Sequence, residues 1–163
     1  MNSLKKVILT ILVPGAVVIG APYLLLSNGW EIHRFALGPF RWAGLLLVLP
    51  GAIGYTWCGA DFIRWGHGTP TQINPPTVLV VAGLYQFSRN PMYISIELTL
   101  FGEAVVFGSL TLVVYALFFL LRNVLFVVLY EEPKLRRQFG ASYDDYCRRV
   151  PRWIPAFSRS SAP

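Results

Sequence analysis

Two long apolar blocks joined by a tight turn decide the fold: residues 92–107, MYISIELTLFGEAVVF, and residues 109–130, SLTLVVYALFFLLRNVLFVVLY. A helix needs about 20 apolar residues to cross the hydrocarbon core of a bilayer. Inside that core the backbone polar groups must bond to one another, so blocks of this composition form helices. Gly108 and Ser109 provide the turn. The sequence therefore predicts a helical hairpin over residues 92–130.

Two further apolar blocks precede the hairpin, at Val7–Leu26 and Phe40–Phe62. Pro14 and Pro22 lie within the first block and should kink its helix, because proline removes one backbone donor and clashes with the preceding turn. The predicted fold class is an all-α integral membrane protein with about four transmembrane helices and a cytoplasmic amphipathic C-terminal segment. The chain is read as one domain over residues 1–163, with two N-terminal spans in residues 1–62.

The composition agrees with lipid as the main solvent. Apolar residues make up 55% of the chain and charged residues only 13%, about half the charged fraction of a typical soluble domain. The net charge of +6 does not indicate nucleic acid, because seven of the 14 Lys and Arg lie between Lys134 and Arg159 and no basic module with interleaved aromatics is present. Cys58, Cys147 and the two histidines form no ligand cluster, so a metal site is not expected.

The distribution of basic residues predicts the orientation in the membrane. If the N-terminus is cytoplasmic, eleven Lys and Arg fall inside, whereas only Arg34 and Arg41 fall outside. Both termini are therefore expected in the cytoplasm, in an inner, cell or endoplasmic membrane. The connection of residues 66–91 would lie on the same cytoplasmic side as the C-terminal segment.

Three ionisable residues lie within the hairpin: Glu97, Glu103 and Arg122. A charge at the centre of a bilayer costs roughly 2.5–3.5 kcal/mol, so each should face protein or water. Glu97 and Arg122 are about equally far from the turn, some 18 Å along each helix. We expect them to pair, either to fix the register of the helices or to orient a substrate.

Residues 83–93, here called the pre-hairpin cluster, combine groups that suit an anionic ligand. Pro91 can occupy the first turn of a helix, and Asn90 is then placed as its N-cap. The free N–H groups of a helix start attract anions, and Arg89 adds a charged donor. A capped helix start with interfacial tyrosines explains the same residues without any ligand.

Glu131 and Glu132, here called the post-hairpin acids, follow the second block and precede a C-terminal segment of residues 134–155. With Pro133 they should bend or break the helix. Beyond them, apolar and aromatic residues recur at helical spacing. Gly140 is expected to interrupt this helical segment, because glycine adopts non-helical backbone angles easily. This segment is either a basic helix on the membrane surface or a lid over a site.

Two motifs flank the hairpin. The first comprises Gly68-Thr69-Pro70, Pro75-Pro76, Leu79-Val80 and Gly83-x-Tyr85-x-x-x-Arg89-Asn90-Pro91-Met92-Tyr93. The second is Glu131-Glu132-x-x-Leu135-x-x-x-Phe139-Gly140-x-x-Tyr143-x-x-Tyr146-x-x-x-Val150-Pro151-Arg152-x-x-Pro155. Together they resemble the isoprenylcysteine carboxyl methyltransferase family, which is related to phospholipid methyltransferases, over residues 66–155.

The resemblance implies an enzyme that uses S-adenosylmethionine, with a lipophilic acceptor entering from the bilayer. It makes the two clusters parts of one cofactor pocket and the C-terminal segment its lid. The implied cofactor-binding residues are Gly83, Leu84, Tyr85, Arg89, Asn90, Pro91, Tyr93, Glu131, Glu132, Tyr143 and Tyr146. The expected catalytic residues are Arg89, Glu132 and Arg149, which would position a carboxylate acceptor or accept a proton from an amine.

Two other classes of function remain open at this stage. One is an oxidoreductase that uses a nicotinamide cofactor, because membrane sterol reductases share a related helical architecture. The other is a non-enzymatic membrane protein that binds lipid. The second alternative predicts no affinity for the cofactor and tolerance of changes at Arg89 and Glu131. The oligomeric state is not predicted by the sequence.

Overall fold

The computed structural model describes residue 12 and residues 14–65 and 78–155, and all regular secondary structure within them is helical. The start of the first apolar block and the Gly68-Thr69-Pro70 and Pro75-Pro76 parts of the first motif lie outside the described residues. The α-helices are α1 (Ala21–Ser27), α2 (Leu45–Trp65), α3 (Pro91–Phe107), α4 (Leu110–Phe126), α5 (Glu132–Phe139) and α6 (Ala141–Arg149). Shorter helical turns are Ala16–Gly20 and Val127–Glu131, which are π-helical, and Gly38–Gly44 and Gly83–Gln86, which are 3₁₀.

Two continuous helices are long and apolar enough to cross a membrane, Gly38–Trp65 and Leu110–Phe139. Helix α3 has 17 residues and is therefore about 25 Å long. The apolar helix Ala16–Ser27 is shorter still. Of the four predicted spans, the second and the fourth thus coincide with candidate membrane-spanning helices. Both long helices expose large apolar side chains, as lipid contact requires: Leu46, Leu49, Ile53, Trp57, Leu117, Phe118, Leu121 and Leu125.

The predicted hairpin is present, and residues 28–37 close its turn. Gly108 ends α3 with φ of 59°, a left-handed conformation that glycine adopts without strain. The Ser109 hydroxyl caps α4 by accepting from the Leu112 N–H and donates to the Glu31 carboxylate at 2.6 Å. The Phe35 N–H donates to the Gly108 carbonyl at 2.7 Å. The turn is therefore fixed from both sides, at the end of the hairpin opposite to the pre-hairpin cluster.

The helix of residues 38–65 packs against α3 through small residues. A Cβ atom on Gly102 would lie 2.7 Å from the Gly44 carbonyl oxygen and 2.8 Å from the Val48 backbone nitrogen. A Cβ on Gly51 would likewise meet backbone atoms of Ser95 and Thr99 in α3, and one on Gly54 would meet the Ser95 side chain. Small residues let two helices approach until their backbones touch, which is a common way to join helices in lipid. This contact sets the distance between α2 and the start of α3, where the pre-hairpin cluster lies.

Each of the two π-helical turns is followed by a proline, at the same distance in sequence. Pro22 lies two residues beyond Ala16–Gly20, and Pro133 lies two residues beyond Val127–Glu131. A π-helical turn widens the helix locally, so the carbonyl four residues before the proline is not forced against the ring. Pro133 was predicted to bend or break the helix; it does not break it, because the helix continues to Phe139. The post-hairpin acids consequently lie within a continuous helix.

The predicted ion pair between Glu97 and Arg122 is not formed. Asn123 lies between them, with its Nδ2 donating to Glu97 Oε1 at 3.0 Å and its Oδ1 accepting from Arg122 Nη1 at 2.9 Å. The Arg122 guanidinium instead lies over the rings of Phe119 and Phe126. One residue corresponds to about 100° of helix rotation, so the two neighbours in sequence cannot both face α3. The buried position belongs to Asn123, and Arg122 faces outward.

Candidate active site

One cavity joins the pre-hairpin cluster, the post-hairpin acids and the C-terminal segment. It lies at the end of the hairpin away from the Gly108 turn. Its lining includes eight of the predicted site residues: Tyr85, Arg89, Asn90, Tyr93, Glu131, Glu132, Tyr143 and Tyr146. The other lining residues are Phe62, Leu79, Val80, Met92, Val127, Lys134, Leu135, Gln138 and Phe139. The cavity is therefore mainly aromatic and aliphatic, with a few charged groups.

The Glu132 carboxylate joins two arginines from different segments. Its Oε1 lies 3.0 Å from Arg89 Nη1. Arg152 donates to both oxygens, from Nε to Oε1 at 2.8 Å and from Nη2 to Oε2 at 2.9 Å. The Glu132 side chain is 6% exposed, and these hydrogen bonds raise the pKa of Arg152 above its usual range. The triad of Arg89, Glu132 and Arg152 retains one positive charge, and its carboxylate holds the two guanidinium groups in place.

Arg89 has donor capacity that this triad does not use. Its Nη1 also contacts the Cys147 sulfur at 2.7 Å, and its backbone N–H donates to the Pro151 carbonyl at 2.9 Å. Its Nε is buried and has no hydrogen-bond partner among residues 14–65 and 78–155. An unsatisfied buried donor on a charged group is costly to leave unpaired. A ligand that brings an anionic oxygen to Arg89 would satisfy it.

Glu131 forms a second polar point of the cavity. The Tyr93 hydroxyl donates to Glu131 Oε2 at 2.8 Å. Glu131 and Glu132 are adjacent in sequence, yet one is held by a tyrosine and the other by two arginines. One hydroxyl donor uses only part of the acceptor capacity of a carboxylate, so Glu131 can also accept from a ligand.

The C-terminal segment is fastened to the turn that begins α3. Ser88 donates from its hydroxyl to the Arg152 and Trp153 carbonyls at 3.1 Å, and Asn90 donates from Nδ2 to the Arg152 carbonyl at 3.0 Å. Asn90 occupies the N-cap position, as predicted, but its side chain does not cap the helix. The side chain instead binds residues 151–153, here called the strap, and so ties the end of the C-terminal segment to the start of α3.

The two tyrosines of α6 lie on the side of the C-terminal segment that faces the rest of the protein. Tyr143 and Tyr146 are almost fully buried, and the Tyr146 hydroxyl donates to the Tyr85 carbonyl at 2.7 Å. They pack on Leu79 and Val81 of the extended stretch before the 3₁₀ turn, and on α5 residues. Burial raises the pKa of both phenols, so they stay neutral donors. These contacts favour the lid interpretation over a helix that lies only on a membrane surface.

Four predicted site residues do not line the cavity: Gly83, Leu84, Pro91 and Arg149. Leu84 packs against the cluster of Cys58, Val80 and Tyr85, and Pro91 begins α3. Arg149 is exposed and donates from Nε to the Asp145 carbonyl. Arg149 therefore lies outside the cavity lining, and its role in positioning an acceptor remains a prediction.

Sequence reasoning did not single out Arg152 as a site residue. The only signal was its position in the Val150-Pro151-Arg152 part of the second motif. Arg152 follows the end of α6, where helical periodicity no longer indicates which way a side chain faces. Its partnership with Glu132 could be recognised only from the fold.

Gly83 supports the cavity indirectly, and we expect its replacement to be harmful. Its φ is 57°, and a Cβ would overlap the carboxylate of the buried Asp61. Gly83→Ala should therefore destabilise the protein by about 2–3 kcal/mol, of which about 1–2 kcal/mol is backbone strain. Thermal unfolding in detergent measures this change.

Gly29→Ala is the matched control, because Gly29 has a φ of 73° and nothing within 4 Å of an added Cβ. It carries the backbone strain without the overlap. If the two variants unfold at the same temperature, contact with Asp61 does not constrain residue 83.

Comparison with protein families adds an independent finding. The model of the phospholipid methyltransferase family matches residues 39–142. The chain belongs to the phospholipid methyltransferase family. No characterised individual protein and no solved structure matches the chain. The matched range includes the pre-hairpin cluster and both post-hairpin acids, and it ends just before Tyr143. Membership of this family, together with the two long apolar helices, indicates a membrane-associated methyltransferase that acts on lipid.

The family match confirms the resemblance drawn from the two flanking motifs. It also weighs against the oxidoreductase alternative, because the matching family is one of methyltransferases. Phospholipid methyltransferases must bring a methyl donor and a lipid together. The cavity beside the hairpin contains polar groups suited to a donor, next to helices with apolar outer faces.

Proposed function

We propose that the protein transfers a methyl group from S-adenosylmethionine to a lipophilic acceptor at the cytoplasmic face of the membrane. The observation that carries the proposal is that one aromatic cavity is lined both by Arg89, whose buried Nε has no partner among the described residues, and by Glu131. These two groups come from segments on either side of the hairpin. Both lie within the range that the family model matches.

The chemistry of the lining fits the cofactor. Arg89 and the positive charge of its triad suit the carboxylate of S-adenosylmethionine, and Glu131 suits its ammonium group or ribose hydroxyls. The neutral rings of Tyr85, Tyr143 and Tyr146 suit a sulfonium or a purine. When bound, S-adenosylmethionine supplies the methyl group as an electrophile.

The residues of the chain contribute placement and exclusion of water. Glu132 holds Arg89 and Arg152 at fixed positions, so the charges that bind the cofactor are set before binding. Tyr143 and Tyr146 cover the cavity, which limits the access of water. Transfer between two bound molecules depends above all on their mutual placement, and a dry site prevents hydrolysis. Gly83, Leu84 and Pro91 shape the wall behind these groups.

Isothermal titration calorimetry with S-adenosylmethionine and its demethylated product tests the proposal. The purified full-length protein should bind both, and Arg89→Ala or Glu131→Gln should weaken binding at least about tenfold, because each removes a charged hydrogen-bonding group. Arg136→Ala is the matched control, since Arg136 forms an exposed pair with Asp144. Its affinity should match that of the wild type.

The proposal would be overturned if the wild-type protein did not bind S-adenosylmethionine. It would also be overturned if the Arg89→Ala and Glu131→Gln variants bound it as tightly as the wild type. Transfer of a labelled methyl group into a lipid extract then identifies the product. A non-enzymatic lipid-binding protein would show neither binding nor transfer.

A further inference from the structure

The helix that carries the post-hairpin acids changes its geometry just before them. The buried positions up to that point follow regular helical spacing: Leu112, Ala116, Asn123 and Val127. The next buried residue is Glu132, five residues after Val127. In a regular α-helix, five residues turn a side chain by about 500°, so Glu132 would point about 140° away from Val127.

The π-helical turn Val127–Glu131 removes this difference. The Glu132 N–H donates to the Val127 carbonyl, five residues earlier, so the turn contains one residue more than a turn of α-helix. Glu132 therefore returns to the face of Val127, where it reaches Arg89 and Arg152. Glu131, four residues after Val127, would face that side in either geometry. Of the two acids, only Glu132 depends on the additional residue.

Pro133 opposes a regular helix at this point. It has no N–H to donate to the Leu129 carbonyl, and its ring would clash with that carbonyl in an α-helix. The π-helical turn avoids both problems, because the helix is wider there. Pro133 itself does not line the cavity, so any effect on a ligand must pass through its neighbours.

The same arrangement occurs once more among the described residues. The π-helical turn Ala16–Gly20 also ends two residues before a proline, Pro22, and the residue before that proline donates to a carbonyl five residues earlier. Pro50 is accommodated within α2 without such a turn. Proline therefore does not require a π-helical turn, but it raises the free energy of the regular helix with which the turn competes.

We infer that Pro133 is a positioning residue for Glu132. By disfavouring the regular helix, it keeps the additional residue in the turn, and the turn brings Glu132 between Arg89 and Arg152. The inference deepens the proposed function and rests on it where the cofactor is concerned, because Pro133 would set the charges of the cavity without touching the ligand.

A double-mutant cycle tests the inference without any ligand. Thermal unfolding in detergent measures how far Glu132→Gln lowers the melting temperature of the wild type and of Pro133→Ala. In Pro133→Ala the helix becomes regular and turns Glu132 away from its arginines, so Glu132→Gln should lower the melting temperature by at most about half as much. A proline that only stiffened the helix would change the melting temperature of Pro133→Ala itself, but not the effect of Glu132→Gln.

Pro22→Ala is the matched control, because Pro22 follows the other π-helical turn and does not line the cavity. The full effect of Glu132→Gln should remain in this background. Equal effects of Glu132→Gln in the Pro133→Ala and Pro22→Ala backgrounds would overturn the inference.

Deletion of Val128 from the Pro133→Ala variant should restore the effect of Glu132→Gln. Val128 is 37% exposed, and its removal leaves Val127 and Glu132 four residues apart, the spacing that places two side chains on one face of a regular helix. If the effect stays reduced, Pro133 does not act through the rotation of Glu132, and the inference fails.

Calorimetry with S-adenosylmethionine separates this inference from the proposed function. Pro133→Ala should bind the cofactor at least about tenfold more weakly than the wild type, and Pro22→Ala should bind it equally well. If the wild type binds no cofactor, the proposed function fails, while a reduced effect of Glu132→Gln in Pro133→Ala still supports the positioning role. If the wild type and Pro133→Ala bind the cofactor equally well, the positioning inference fails and the proposed function stands.

Discussion

Glu132→Gln is expected to reduce affinity for S-adenosylmethionine by at least about a hundredfold and to destabilise the fold by about 3 kcal/mol. The substitution keeps the shape of the side chain and removes its charge. The buried Arg89 and the partly exposed Arg152 would then lie close together with no carboxylate between them. Breaking a buried ion pair leaves an uncompensated charge, which is far more harmful than losing a surface pair.

The effect reaches the cofactor because the triad connects three segments. Arg89 lies just before α3, Glu132 is the first residue of α5, and Arg152 belongs to the strap that binds Ser88 and Asn90. Loss of the central carboxylate releases the strap as well as the arginine. Calorimetry and thermal unfolding in detergent measure both consequences on the same sample.

Asp144→Asn is the matched control for Glu132→Gln. Asp144 also pairs with an arginine, Arg136, at 3.1 Å, but both side chains are at least half exposed. Exposed pairs of this kind contribute about 0–1 kcal/mol. A Glu132→Gln variant that unfolds and binds like Asp144→Asn would contradict the role assigned to the triad.

Gly102→Val is expected to destabilise the helical bundle by about 3 kcal/mol or more, and to abolish cofactor binding through the displaced helices. The added atoms would meet the Gly44 carbonyl oxygen and the Val48 backbone nitrogen, which are main-chain atoms and cannot move aside as a side chain can. The helix of residues 38–65 would have to separate from α3. Thermal unfolding of the purified protein measures the loss.

Gly15→Ala is the control for Gly102→Val, because a Cβ at Gly15 meets nothing within 4 Å. Alanine is also the better helix former, so this variant should be as stable as the wild type. Gly102→Ala should lie between the two. Wild-type stability of Gly102→Val would show that the backbone contact between these helices is not required.

The positions of polar partners could be predicted only in part. The two clusters were expected to form one pocket, and residues from both of them do line one cavity. The partner of Glu97 was predicted wrongly, since Asn123 takes the place given to Arg122. A difference of one residue turns a side chain by about 100° around a helix. The prediction compared only distances along the two helices, so it did not take this rotation into account.

The sequence by itself determined the helical class, the hairpin and its Gly108 turn, because these follow from apolar length and from the local conformations of glycine and proline. It also identified most of the cavity lining through the two motifs. Only the tertiary structure decided that Glu132 is held between Arg89 and Arg152, that Asn90 binds the strap and that one Glu97 oxygen has no partner among the described residues. These contacts join segments far apart in the chain, and such contacts depend on how helices pack and rotate against each other, which no local pattern records.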